Sequence, residues 1–242
     1  MILFIVGLML LLIGARMVGE MLLVRLAGCR IENIRTYLGT MAVLVGLAVL
    51  VLAGEVRAAQ VKIPPDSVRY RLQLERAAGE QFGLDAPVAR LAAQLHQESG
   101  WRSTARSAYA EGLAQFTPAT AHWLPQVCPS VGAPDPWDPD WSIRAVACYD
   151  AWLLARARGA TPCDRWAMTL SAYNGGEGAR DRESRMAYEA RDDPSRWFGH
   201  VARYRSRSTS AFAENRHYVS RILLTLEPAY LAAGWPGTEV CR

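Results

Sequence analysis

Residues 91–101 read Leu91-Ala92-Ala93-Gln94-Leu95-His96-Gln97-Glu98-Ser99-Gly100-Trp101. Together with Val88, residues Leu91, Ala92 and Leu95 make one apolar stripe at helical spacing. Asp85 has the chemistry of an N-cap, Pro87 is tolerated in a first turn, and Gly100 is a natural stop. Continuing the same angular step carries Glu98 and Ser99 round to the core side. A carboxyl there, on the last helical turn, meets two effects of one sign. Desolvation disfavours its charged form, and so does the negative end of the helix dipole. A carboxyl held protonated near neutral pH is what a general acid requires. The same residues also admit a plainer reading, a surface glutamate at a frayed helix end.

On either side of this stretch the chain keeps reading as helix and loop. Residues from Ser67 to Gly79 or Gly83 have helical composition. Beyond Trp101 a polar segment without periodicity leads to Gly112-Leu113-Ala114-Gln115-Phe116-Thr117-Pro118, where Thr117 and Pro118 suit the N-cap and first position of a helix. Asp135, Asp138 and Asp140 lie in a proline-rich loop lacking the glycine turn and terminal Glu of a calcium loop, so capping by Asp138 or Asp140 is expected. The helix after them, to about Arg158, buries Ile143, Val146, Ala147, Leu153 and Leu154, with Asp150 on the same arc. Asp150 either pairs with an arginine or supplies a second carboxylate near the site. A further helix opens at Cys163 or Asp164, passes Trp166, Leu170 and Tyr173, and stops at Asn174-Gly175-Gly176. Last, Glu214-Asn215-Arg216-His217-Tyr218-Val219 leads into the apolar helix Ile222 to Leu226. No strand-like alternation of any length is present, so the expected fold class is mainly α.

Composition narrows the function. The chain has 242 residues, enough for one domain and an appendage. From residue 59 onward, 22 Lys+Arg face 20 Asp+Glu, which leaves no basic stripe for nucleic acid. Arg203, Arg205 and Arg207 form a short cluster expected to be a solvated loop. Cys128, Cys148, Cys163 and Cys241 suit an oxidising compartment and up to two disulfides, in any of three pairings. No cysteine pair has metal or redox spacing, and His96 stands two residues before Glu98, unlike a zinc-protease motif. Neither a metal nor another cofactor is called for.

The first 58 residues differ in character. Residues 1–15 are uncharged and apolar but short for a bilayer, whereas 36–54 form a run of 19 uncharged residues. Arg16, Arg25, Arg30 and Arg35 between them outweigh Glu20 and Glu32, which orients everything after Gly54 away from the cytoplasm. Residues 1–58 are therefore read as a membrane hairpin, or as a signal region cleaved after Ala58 or begun at Met21, and 59–242 as the exported domain. Leu26-Ala27-Gly28-Cys29 has the letters of a lipobox, although Arg25 breaks the apolar run before it. All versions place the domain on the periplasmic or cell-envelope side.

Four blocks now stand in order: Glu98-Ser99-Gly100-Trp101, Gly112-Leu113-Ala114-Gln115-Phe116, Ala172-Tyr173-Asn174-Gly175-Gly176 and Glu214-Asn215-Arg216-His217-Tyr218-Val219. This series resembles the lytic transglycosylase (SLT) family, which shares its helical fold with goose-type lysozymes. The likeness spans about Arg69 to Pro228. Ala114 stands where that family commonly has methionine, Asn215 where it has threonine and Asp150 where it has an aliphatic residue. The segment from Ser107 to Gly112 is one residue shorter.

The resemblance implies a lysozyme-like SLT domain acting on peptidoglycan glycan strands. Glu98 would protonate the glycosidic oxygen between N-acetylmuramic acid and N-acetylglucosamine, then accept the proton of the sugar's C6 hydroxyl as a 1,6-anhydro ring closes. Tyr173 would hydrogen-bond and orient Glu98, and Ser99, Gln115, Asn174 and Glu214 would line the groove. One alternative is a goose-type hydrolase with Glu111 or Asp150 as base. Another is a membrane-anchored glycan-binding protein without turnover.

Overall fold

In the computed structural model, which describes residues 61–241, the chain forms α1 (Asp66–Phe82), α2 (Val88–Ser99), α3 (Pro118–Trp123), α4 (Pro139–Arg156), α5 (Pro162–Gly175), α6 (Glu177–Glu189), α7 (Thr209–Arg221) and α8 (Glu227–Ala232). A π-helical turn, Ile222–Leu226, joins α7 to α8. The expected anchor or signal region and the lipobox lie outside the described residues. Among the described residues no helix is long and apolar enough to cross a membrane. Extended pairing there is confined to the isolated bridges Arg106–Glu111 and Glu111–Phe116, which fold the segment after Trp101.

The apolar stripe of α2 is wider than its spacing implied. Every residue from Val88 to Leu95 is buried, so the helix is enclosed on all sides. Its polar members must then find partners within the protein. Arg90 Nη2 donates to Glu227 Oε1 of α8 at 2.5 Å, and its guanidinium lies 4.4 Å from the ring centre of Trp166. Gln94 Nε2 donates to Asp150 Oδ1 of α4 at 3.4 Å.

Asp85 does not cap this helix. It sits in a short 3-10 turn, Gly83–Asp85, three positions ahead of the first helical residue and too early to meet its orphan N–H groups. The C-terminal tail takes that role, since Ala89 N–H donates to the Pro236 carbonyl at 2.8 Å. At the other end Gly100 has φ 61°, as expected of a stop, and Trp101 follows at φ 67°. A tryptophan is costly in that left-handed region. Burial holds it there, stacked on Tyr70 with its indole N–H donating to Tyr230 Oη at 2.6 Å.

The remaining caps follow local chemistry. Thr117 accepts from Thr120 N–H, and Asp138 accepts from Asp140 and Trp141 N–H. Helix α5 opens on Thr161, earlier than the expected Cys163 or Asp164. Asp164 is occupied elsewhere, taking the Trp197 N–H at 2.8 Å and the Thr161 hydroxyl at 2.7 Å. The arginine cluster is not wholly solvated. Arg207 and Arg216 both pair with the fully buried Glu183, at 3.0 and 2.9 Å, and so clamp α7 to α6.

Two disulfides form, Cys128–Cys148 and Cys163–Cys241. The second ties down the tail that caps α2. It spans 78 residues of sequence, against 20 for the first. On loop entropy alone these are worth roughly 4 and 3 kcal/mol. Paired serine substitution of Cys163 and Cys241 should therefore lower Tm more than the same treatment of Cys128 and Cys148, as calorimetry would measure.

Candidate active site

Glu98 occupies the last turn of α2 and is only partly exposed. Its Oε1 accepts a hydrogen bond from Tyr218 Oη at 2.5 Å. Desolvation is the largest influence on this carboxyl. The Tyr218 bond opposes it by favouring the ionised form, while Asp150 and Glu214 add to it by charge repulsion, and the pKa stands at about 8. Glu98 is thus mostly protonated at neutral pH. The frayed-end reading does not hold for it.

Tyr173 does not supply the bond expected of it. Its hydroxyl donates instead to the Ala114 carbonyl at 2.8 Å, and its ring lies between Phe116 and Tyr149, at 5.6 and 5.5 Å. Burial, and after it the nearby charge of Glu98, raises its own pKa well above the usual value. The two tyrosines divide the work by position. Tyr218 is buried on α7 facing the end of α2, whereas Tyr173 sits on α5 beside the loop that carries Ala114.

That loop is shaped by Gly112 and Gln115. At Gly112, φ is 76° and a Cβ would stand 1.7 Å from the Pro136 carbonyl oxygen, so only glycine fits. Gln115 has φ 50°, and its side-chain amide donates to the Gly112 carbonyl at 2.8 Å and the Ala105 carbonyl at 3.1 Å. The expected groove contact at Gln115 is therefore built on a residue that also braces its own loop. Ser99 is buried, with its hydroxyl bonded back to the Leu95 carbonyl at 3.3 Å. Asn174 Nδ2 donates to Glu214 Oε1 at 3.4 Å, which brings together these two partly or fully exposed polar residues from α5 and α7. Behind them Asn215, fully buried, donates to Asn174 Oδ1 at 2.8 Å and accepts from Ser171 at 2.9 Å.

Asp150 is fully buried. Desolvation raises its pKa to about 8 against the opposing effects of Gln94 and Arg90. Of its two expected roles it takes neither cleanly. Arg90 helps it from a distance, but its direct partner is Gln94, and Oδ2 has no partner. The other candidate base, Glu111, lies 3.6 Å from Arg106. Among the described residues no cluster of His, Cys, Asp or Glu could hold a metal ion.

A family model for the transglycosylase SLT domain matches residues 73–195, half of the chain. This chain belongs to that family. The matched span carries Glu98, the Gly112–Phe116 loop and Tyr173, while Tyr218 lies beyond it. The fold of the SLT domain is also that of the 70 kDa soluble lytic transglycosylase of Escherichia coli. With that enzyme it shares a TM-score of 0.51 and 23% identity over 72% of this chain and 26% of the other. An inactive glutamate-to-glutamine mutant of lytic transglycosylase Slt from Pseudomonas aeruginosa gives a TM-score of 0.49 and 23% identity over 79% and 28%. The SLT chain spans about a quarter of the length of either structure. No curated protein matches the sequence.

Sequence reasoning missed Tyr218, although it falls inside the fourth block quoted above. The signal that could have found it is a tyrosine set among buried apolar positions, whose hydroxyl needs a buried partner.

Two outcomes follow for the SLT domain. Tyr218→Phe removes a bond that favours ionised Glu98, so the Glu98 pKa should rise above about 8 in a carboxyl NMR titration, whereas Tyr173→Phe should leave it in place. Asp150 titrates near 8 when folded, above its unfolded value of about 3.9, so folding takes up a proton and stability falls as pH rises between those values. Asp150→Asn should flatten that decline in Tm measured across the same pH range.

Proposed function

We propose that this protein is a peptidoglycan lytic transglycosylase in which Glu98 acts first as acid and then as base. The observation that carries the reading is the Glu98 carboxyl itself, protonated at neutral pH and fixed through Oε1 by Tyr218. With Oε1 already accepting, the acidic proton belongs on Oε2.

Glu98 gives that proton to the glycosidic oxygen as the bond from it to C1 of N-acetylmuramic acid breaks. The leaving N-acetylglucosamine departs with a free 4-hydroxyl. The C6 hydroxyl oxygen of the same muramic acid then bonds to C1, and its proton returns to Glu98. No water is consumed and the enzyme ends as it began. Because the nucleophile belongs to the substrate, its effective concentration is high, and a second carboxylate has no step to perform. Tyr218 positions the acid. Tyr173 fixes the Ala114 loop that forms one wall, and Gln115, Asn174 and Glu214 face the glycan, with Ser99 holding the helix end behind them.

The state of Asp150 favours this over water-mediated hydrolysis with that residue as base. A base must be ionised and reach a water, yet Asp150 is fully buried and protonated at neutral pH. A binding protein without turnover has no use for a costly buried acid. The two disulfides suit action on the envelope side of the membrane, and the N-terminal residues would deliver or anchor the domain there.

Purified sacculi digested by the protein should release fragments ending in 1,6-anhydro-muramic acid, one water lighter than hydrolytic ends by mass spectrometry. Hydrated ends alone would favour the hydrolase. Glu98→Gln should reduce release at least about a thousandfold while leaving the circular dichroism spectrum unchanged. The rate should fall as pH rises through about 8, where Glu98 loses the proton it must donate.

A further inference from the structure

Asp150 lies fully buried on α4, and the mechanism above gives it no step. Burying a carboxyl is costly unless its hydrogen bonds are met. Among the described residues its side chain has one hydrogen-bond partner, Gln94, whose Nε2 donates to Oδ1 at 3.4 Å. Gln94 is itself fully buried on α2. That bond uses one polar atom of each side chain. The other atom of each, Asp150 Oδ2 and Gln94 Oε1, is buried with no partner. Both are oxygens, and an ionised carboxylate only accepts, so in that state neither oxygen satisfies the other. A single proton on Oδ2 changes the count. Oδ2 then donates, Oε1 accepts, and acid and amide close into a side-by-side pair with two parallel bonds.

The place of this pair bears on the reaction. Gln94 stands four residues before Glu98, one turn earlier on the same face of α2. Asp150 follows Tyr149, whose ring packs on Tyr173 at 5.5 Å. Among the described residues no other side-chain hydrogen bond links α2 to α4. The titratable groups within electrostatic reach of Asp150 are Arg90 and Glu98 on α2, Tyr149 on α4 itself, Tyr173 on α5 and Tyr218 on α7. Helix α1 and the turn Pro129–Val131 also pack on α4. The first buries one more titratable ring, Tyr70, stacked on Trp101, and the second brings none. Arg90, the one cation of the set, is committed to Glu227. Glu98 is the group that must change charge during turnover. It turns negative when its proton leaves, and a second negative charge at Asp150 would oppose that change.

We propose that Asp150 is a positioning residue: its Oδ2 proton, donated to Gln94 Oε1, locks the helix of Glu98 to α4 and keeps the site free of a second charge while Glu98 is ionised. Asp150 itself transfers no proton. Burial supports the arrangement by holding the Asp150 proton up to about pH 8. The inference rests on the transglycosylase reading in taking Glu98 as the reacting acid, whereas the acid–amide pair is independent of turnover.

Difference infrared spectroscopy reads the proton directly. The full chain carrying Glu98→Gln, compared with and without Asp150→Asn at neutral pH, should show the carbonyl stretch of a neutral carboxylic acid that Asp150→Asn removes. A carboxylate signal in its place would overturn the pair. Turnover then tests the consequence. With Glu98 intact, Gln94→Leu leaves the Asp150 carboxyl unpaired, so kcat on sacculi should fall about tenfold or more with KM little changed. Asp150→Asn can hold both bonds through its amide and should keep most of kcat. The alkaline limb of its pH profile should move to lower pH, because the repulsion acting on Glu98 is gone. A loss of kcat in Asp150→Asn as large as that in Gln94→Leu, or a limb that stays in place, would overturn the positioning role. A neutral Asp150 in a chain that cleaves no glycan would instead sink the transglycosylase reading and leave the pair standing.

Discussion

Burial of the Glu98 carboxyl against a single tyrosine donor is what the rest of the domain serves. A carboxyl in open solvent ionises near pH 4 and cannot donate a proton at neutrality. One without any partner would be free to turn away from its target. The Tyr218 bond gives up part of the shift that burial provides, and in return one oxygen is fixed while the other faces outward. Asp150 and Glu214 restore some of the loss through charge repulsion. The resulting value of about 8 is a balance in which each contributor can be identified with a side chain.

Keeping that balance requires an inflexible seat, and α2 provides one by being buried along most of its length. Its polar side chains are matched to three different parts of the chain: Arg90 to α8 and the tail, Gln94 to α4, and Trp101 just beyond it to Tyr230. These contacts leave Gln94 Oε1, Asp150 Oδ2 and Glu227 Oε2 without partners. Stability is therefore below what an apolar core of the same volume would give. Of these groups Asp150 bears directly on Glu98, through charge repulsion.

The helical class and the core-side placement of the Glu98 carboxyl were legible because helix spacing and the four blocks are local signals. Gly100, Thr117 and Asp138 acted as their local chemistry suggested, each as a stop or a cap. The failures share a physical cause. Asp85 and Tyr173 were assigned partners from near neighbours or from family habit, and Arg207 was expected to be solvated, while their environments are set by segments distant in sequence. The α2 cap comes from Pro236, the Glu98 donor from α7 and the Arg207 acceptor from α6. Asp150 is a similar case. Its position on an apolar arc was plain, but only packing against Gln94 shows that it is kept neutral and not paired with an arginine.

The π-helical turn Ile222–Leu226 explains how one long helical run reaches α2 twice. Tyr218 and Tyr230 are twelve residues apart, and in an uninterrupted α-helix they would point about 120° away from each other. A π turn absorbs one extra residue, which reduces the difference to about 20°. Both hydroxyls can then face the same neighbour, Tyr218 meeting Glu98 while Tyr230 meets Trp101 and His96. The widened turn works as a phase corrector: the twelve-residue spacing keeps both rings toward one helix only while the surplus residue stays looped into the π turn, and regular α geometry over the same residues would swing one of them away.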